Sequence, residues 1–387
     1  MEDILTVGKD RRPVWWRRGL VAVAVAAAVA AVALRHLPAD HDHAADRAPP
    51  AVVSGEPVPR ILPARAGEAG GRQHLRLMRG VRLPIAGPRP LWFWPATGRA
   101  QPIRGLPVTG AGYTFLRVAG GWALTRSTFA RPACGLCLQA PLPVYFLADH
   151  ASAARWTGTA DAVARAATAG RLWLTSYRQG DDPAHAAVTA REVGTNGRPL
   201  GPAVRIPAGY AIDGATGRGL LLAPTITRGG LAVFWLWKPG AGTAARRFGT
   251  LLAVSARQIA WMPRCARRCE IEVADVVTGQ VTAVQLQSGQ VTVSAAFSPD
   301  GNYLAVQVSA TRLYVVSLRS GQVAAVPGTR AAGGALVGFG WPDDTDTLVT
   351  ELSFPARLQL AAWHPGGATP EVIALEPGHG ASGIVVG

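Results

Sequence analysis

A glycine-centred turn recurs at nearly constant spacing along most of this chain, and that period limits the folds open to it. From residue 197 onward the turn glycines are Gly197, Gly240, Gly279, Gly321 and Gly366, at steps of 43, 39, 42 and 45 residues. Their contexts are Asn196-Gly197-Arg198, Pro239-Gly240, Thr278-Gly279-Gln280, Ser320-Gly321-Gln322 and Pro365-Gly366-Gly367. Upstream, Thr97-Gly98-Arg99 lies 99 residues before Gly197, and Leu147-Ala148-Asp149-His150 stands where the intervening copy belongs. A second turn, Phe297-Ser298-Pro299-Asp300-Gly301, offers a preset φ at Pro, an Asx-type bond at Asp and a positive φ at Gly. It recurs once, as Phe339-Gly340-Trp341-Pro342-Asp343.

The segments between turns are short apolar runs without helical spacing. In the fifth unit they are Leu251 to Ser255, Ile259 to Met262, Ile271 to Val276 and Val281 to Leu286, rich in Val, Ile and Leu. Around Pro299 the runs are Val291 to Phe297, Tyr303 to Val308 and Leu313 to Leu318. Each unit therefore reads as a four-stranded antiparallel sheet. A sheet this small cannot bury both faces alone, so it must stack on its neighbours. The sequence predicts an all-β chain, a β-propeller of four-stranded blades: seven turn copies give seven blades, with six the alternative. Residues 297–322 resemble the WD-repeat-like and TolB-like bacterial propeller repeats, whose hairpin commonly reads SPDG. The Trp-Asp ending of a WD repeat is absent, so the resemblance implies architecture and transfers no functional residue.

The first blade is the weakest in pattern. Leu75 to Met78, Val81 to Ile85 and Leu91 to Trp94 read as strands, with a fourth near Ile103. An open blade edge invites aggregation. The apolar, β-branched end Gly383-Ile384-Val385-Val386 is therefore expected to add a strand there and join the two chain ends.

Residues 1–18 carry Lys9, Arg11, Arg12, Arg17 and Arg18 against Glu2, Asp3 and Asp10, a net charge of +2. Gly19 to Leu34 follows without a polar residue. A basic flank before an apolar helix points that flank to the cytoplasm. Sixteen residues reach about 24 Å against a hydrocarbon core of roughly 30 Å, a gap that interfacial Trp15 and Trp16 and snorkelling Arg18 and Arg35 can bridge. The competing reading is a cleaved signal peptide. Arg35 and His36 abut the run and no small-x-small site follows directly, which argues for an uncleaved anchor. Residues 37–70, rich in Pro, Ala, Gly and Asp, read as a flexible stalk. The expected organisation is a cytoplasmic tail (1–18), a single transmembrane signal-anchor (19–35), a stalk (36–70) and an extracytoplasmic propeller (71–387).

The net charge of +15 draws on arginines scattered through all units, with lysine only at 9 and 238 and no run of five basic residues. That pattern gives general surface chemistry, with no dedicated nucleic-acid face expected. Cys134-Gly-Leu-Cys137 and Cys265-Ala-Arg-Arg-Cys269 each fall between the second and third strands of a unit, three units apart. That separation speaks against one four-cysteine zinc site. In an oxidising compartment, two local disulfides follow, Cys134–Cys137 and Cys265–Cys269. Asp40, His41, Asp42, His43 and Asp46 lie in the stalk, where no scaffold fixes a metal. Asp343, Asp344 and Asp346 suit an Asx turn without calcium. Trp92 with Trp94, and Trp235 with Trp237, can stack on sugars, but packing between blades needs the same flat residues. The stretch Ala274 to Val281 resembles a repeat of quinone-dependent dehydrogenase propellers, yet Thr282 to Leu286 lacks the tryptophan such repeats place after the turn, so no cofactor is expected.

No GxSxG elbow, HExxH, P-loop or GxGxxG opening a helix occurs. The sequence points to a monomeric, membrane-anchored propeller binding a protein or an envelope polymer, without chemistry of its own. The alternative is a propeller lyase or hydrolase acting on envelope glycans. An acidic or histidine cluster at the channel mouth would favour the enzyme, and a basic or apolar rim the binder.

Overall fold

The computed structural model describes residues 75–108, 112–126, 141–177, 188–224, 233–240, 245–263, 270–285, 294–329, 334–342, 346–355, 357–376 and 384–386. The tail, anchor and stalk, all four cysteines, Asp343 and Asp344 lie outside them. Among the described residues there are strands and turns only, and no helix is long and apolar enough to cross a membrane.

The strands form seven antiparallel sheets in chain order. Blade 1 spans 83–102, blade 2 113–160, blade 3 162–206, blade 4 210–248, blade 5 250–285, blade 6 294–325 and blade 7 335–375. The fold is a seven-bladed β-propeller. The recurrent glycine turn is the link from the third to the fourth strand of every blade but the second, where Asp149 and His150 take its place. Gly98, Gly197, Gly240, Gly279, Gly321 and Gly366 all have φ between 67° and 88°, the left-handed region where glycine has no steric cost. The Ser298-Pro299-Asp300-Gly301 turn links first to second strands in blade 6, with Asp300 accepting from the Asn302 amide at 2.9 Å and Gly301 at φ 71°. Both turn types therefore open on one face of the ring, the turn face.

The first strands of blades 3, 4, 5 and 6 touch one another in succession and so stand innermost. Fourth strands face outward; Val323–Ala325 is exposed along its length. Between them, period-two alternation sends side chains to the two neighbouring blades. In blade 6, Leu304 and Val306 enter the cluster shared with blade 5, while Ala305 enters the one shared with blade 7. In blade 4, Leu220 and Leu222 face blade 3 and Leu221 faces blade 5. Burial on both faces is why these strands read as unbroken apolar runs. The buried clusters join blades 1 and 2, 2 and 3, and so on through 6 and 7, and finally 7 and 1. Trp92 and Trp94 pack at the 1–2 boundary and Trp235 and Trp237 at the 3–4 boundary, as interblade packing requires.

Blade 1 departs from its sequence pattern in one place. Leu75 to Met78 is not a strand but a turn, in which the amides of Leu77 and Met78 donate to Glu371 Oε2 of blade 7 at 2.8 and 3.0 Å. The alternating Leu-Arg-Leu-Met pattern is met by burying Met78 against blades 7 and 1. The blade's own strands are Leu83–Ile85, Leu91–Trp94 and Arg99–Pro102. The chain end completes it: Ile384 pairs antiparallel with Ile85, and the Val385 amide donates to the Pro84 carbonyl at 2.9 Å. This innermost place buries Ile384 and Val386 in the 7–1 cluster. Gly338 of blade 7 makes room for it, since a Cβ there would lie 2.7 Å from Val386 Cγ2. Burying two such side chains contributes about 1.5–3 kcal/mol each. Deleting residues 380–387 is expected to lower the melting temperature by several degrees in calorimetry; an unchanged melting temperature would remove the closing role of this segment.

Candidate functional site

The innermost strands of blades 2, 3 and 4 carry charged residues into the space they enclose. Arg117 sits near the end of Tyr113–Val118 and Arg165 ends Ala162–Arg165, both beside first-to-second turns. Asp213 lies in Tyr210–Thr216 at a β-bulge, where the register slips between Ile212 and Gly214. A bulge re-aims the extra side chain away from the ladder, and Asp213 is exposed while both neighbours are buried. Arg82 precedes blade 1's strand Leu83–Ile85, and Asp149 stands in the third-to-fourth turn of blade 2. All but mid-strand Asp213 stand at the turn-face end.

Their electrostatics are unequal. Arg117 grips Asp149 with two prongs, Nη1 to Oδ1 and Nη2 to Oδ2, the second at 3.0 Å. Its Nη1 also donates to the Gly121 carbonyl at 3.1 Å, and its guanidinium lies 5.2 Å from the Trp122 ring centre. Asp149 is thus already satisfied. Arg82 stacks on Trp92 at 4.5 Å, leaving a buried Nη2 with no acceptor among the described residues. Burial lowers the pKa of Arg82, opposed by Asp149. Burial, and then the charge of Arg117, lower that of Arg165, opposed by Asp213. Both arginines remain cations near neutral pH. Asp213 keeps an open surface yet stands inside the ring among neighbouring strands, where partial desolvation raises its pKa and the charge of Arg165 works the other way. Guanidinium donors are in excess. Such a cluster is suited to a carboxylate or phosphate held by a planar fork of donors.

The remaining innermost strands are mostly apolar, with Ser294 of blade 6 donating to Gln307 Oε1 at 3.0 Å. Bulges in the first strands of blades 5 and 7 fall at Leu252 and Val337, and Val337 is 57% exposed. Between blades 5 and 6 the turn face also holds a groove of about 330 Å³ lined by Arg257, Gln258, Asp275, Asp300 and Arg319. Here Asp275 accepts from the Thr278 and Val277 amides at 3.0 and 2.8 Å and from Arg257 Nε at 2.6 Å, which hold its carboxyl below the usual range. Burial pushes Asp300 up, but hydrogen bonds from Ser298 and Asn302 leave it below its ordinary value. Asp346 is pushed up, by burial and then by the charge of Asp300.

Of the candidate ligand residues singled out in sequence, Trp92 meets the arginine cluster by carrying the Arg82 guanidinium, and Asp346 lies on the same face beside Asp300. Among the described residues no three metal-ligating side chains converge, and neither described histidine, His150 or His364, hydrogen-bonds to a serine or cysteine. The arginine cluster was not anticipated. Its faint signals were arginines just ahead of turn glycines (Arg117 before Gly120, Arg165 before Gly170) and Gly214 inside a strand, which marks a bulge.

No family model matches this chain, and no curated protein does. Solved structures match by shape. An acylaminoacyl peptidase in complex with Z-Gly-Gly-Phe-chloromethyl ketone aligns at a TM-score of 0.53 and 12% identity over 75% of this chain and 49% of its own. The β-propeller domain of the Trilobed protease from Pyrococcus furiosus aligns at 0.51 and 9% identity over 73% of this chain and 88% of its own. TolB from Acinetobacter baumannii aligns at 0.38 and 12% identity over 62% of each chain. The chain thus spans about half the length of the peptidase. At such identities the likeness to the first two shows the propeller fold alone.

One carboxyl stands apart from this face. Glu351, in blade 7 opposite Gly338, is 5% exposed, and burial raises its pKa from 4.5 to about 7. The folded state therefore keeps a proton that the unfolded chain releases above pH 4.5. Stability is highest below the unfolded value and falls as pH rises to about 7, by up to roughly 3 kcal/mol. Glu351→Gln is expected to melt like the parent at pH 4.5 and several degrees above it at pH 8. Parallel melting curves across that range would contradict the buried-carboxyl account.

Proposed function

We propose that this protein is a binding module of the cell envelope, a propeller held outside the membrane by its N-terminal segment and using the arginine-lined mouth of its ring to take an anionic group of a protein or envelope polymer. The observation that carries the reading is the excess of guanidinium donors around the mouth: Arg82 Nη2 is buried without an acceptor among the described residues, Arg165 has the charge of Asp213 set against that of Arg117, and Arg117 is matched to Asp149. A basic rim with a mostly apolar wall beyond it favours recognition over acid–base chemistry, which needs titratable groups paired near neutral pH. Glu351 titrates in that range but is buried beside Gly338, against which Val386 of the closing segment also packs. Two of the similar structures are proteases, and the chain spans about half of the acylaminoacyl peptidase, so that peptidase's activity is not carried over. The anchor rests on the Gly19 to Leu34 run and its basic flank.

Scattered surface arginines attract polyanions too, so the test must separate a site from a field. Binding of the purified full-length chain to polyphosphate and to poly-L-glutamate is measured at two salt concentrations. Arg165→Gln is expected to weaken binding at least tenfold, whereas Arg312→Gln, an exposed control in blade 6, leaves it within twofold. Equal losses for the two variants would reduce the reading to general surface charge.

A further inference from the structure

We infer that the groove between the outer parts of blades 2 and 3 is a binding site for an acidic saccharide, one sugar ring lying on Trp156 and its carboxylate meeting Arg191. The blades of a ring diverge outward, and large side chains normally fill the wedge between them. Between blades 3 and 4 the wedge is filled by Trp173, Tyr177, Tyr210, Trp235 and Trp237, with Tyr210 and Trp235 ring centres 4.5 Å apart. Between blades 2 and 3 it is left open. A groove of about 390 Å³ runs there, walled by Trp156, Gly158 and Thr159 of blade 2 and by Ser176, Thr189 and Arg191 of blade 3.

The opening has a backbone cause. In the outermost strand of blade 2 the register slips, so that Tyr145 opposes Trp156 while Val144 opposes Gly158, and Thr157 is the extra residue of a bulge. Thr157 turns inward, 2% exposed, and its Oγ1 donates to the Arg155 carbonyl at 3.3 Å and, across the blade boundary, to the Thr195 carbonyl at 3.4 Å. Gly197 lets that turn of blade 3 close on the bulge, since a Cβ there would lie 2.6 Å from the Thr157 carbonyl oxygen. The bulge leaves Trp156 turned outward, 59% exposed, whereas every other described tryptophan is buried or half-buried. An indole exposed at a groove wall offers a flat apolar platform with a polar N–H at its edge.

The facing wall gives the chemistry. Alternation places Ser176, Thr189 and Arg191 on the side of blade 3 that also sends Leu174 and Val193 toward blade 2. Two exposed hydroxyls on that side, Ser176 and its cross-strand partner Thr189, give donors and acceptors side by side. Arg191 is exposed and has no hydrogen-bond or ion-pair partner among the described residues. An aromatic platform suits the C–H face of a sugar ring, a pair of hydroxyls its hydroxyl rim, and an unpaired guanidinium a ring carboxylate. The volume lies at the small end of the range of about 300–1,000 Å³ usual for ligand sites, room for a short oligosaccharide segment.

The test uses the full-length chain with two probes of equal length, a tetrasaccharide alternating glucuronate with N-acetylglucosamine and neutral chitotetraose, followed by calorimetry and saturation-transfer NMR. The acidic probe is expected to bind more tightly than chitotetraose. Trp156→Ala should weaken the acidic probe at least tenfold, and Trp156→Tyr should restore most of the loss. Arg191→Gln should erase the preference for the acidic probe. Arg312→Gln, exposed in blade 6 and outside both this groove and the mouth of the ring, should leave binding of the acidic probe within twofold. If Trp156→Ala does not fold, judged by near-ultraviolet circular dichroism, the tyrosine and Arg191 variants decide. Absence of binding, wild-type binding in the Arg191 and foldable Trp156 variants, or binding of tetraglutamate in place of both sugars would overturn the proposal.

Discussion

Everything in this protein depends on apolar packing between one small sheet and the next. A four-stranded blade alone would leave a whole face of Val, Leu and Ile in water. At about 25 cal/mol per Å² of apolar surface, that burden is removed only by a neighbour on each side. Strands such as Leu348–Phe354 satisfy both neighbours, Leu348 and Leu352 turning to blade 6 and Val349 to blade 1. The demand is cyclic. A blade at either end of an open row would fail it, so the ring must close, and the residues at 384–386 close it.

Closure also decides where chemistry can gather. Once apolar contacts occupy the flanks of each blade, polar groups are confined to the innermost edge, the turns and the outer strands. The arginines of blades 1, 2 and 3 meet at the first two of these places because three successive blades bring their turn ends together. The groove on Trp156 belongs to the third, where a single bulge keeps a wedge from being filled. Buried Glu351 shows the cost of an exception: a carboxyl on a packed flank holds its proton up to about pH 7.

The fold was legible because its cause is local and repeated. Positive φ at Gly279 or Gly321 needs glycine whatever surrounds it, and the repeat spacing follows from four short strands and their links. Runs such as Tyr303 to Val308 were continuous in apolar character because both faces are buried. Leu75 to Met78 misled for the opposite reason: its fate is set by Glu371, whose carboxylate lies 294 residues from Leu77 in sequence. The site was mostly illegible on the same ground. Nothing local distinguishes Arg165 from the other scattered arginines; only the ring brings it near Arg117 and Asp213. Nothing local marks Trp156 either, because the bulge that turns it outward depends on a register slip that no short motif announces.

The closed ring is tested most directly at the backbone of its last strand. The Val385 amide is bonded to the Pro84 carbonyl and flanked by buried Ile384 and Val386. Native-state hydrogen exchange, followed by mass spectrometry on the C-terminal peptide, reads that amide alongside those of the blade cores. The account predicts exchange as slow as in the central strands of blades 6 and 7, opening only with global unfolding. Exchange of the C-terminal peptide at the rate of a free chain would contradict it.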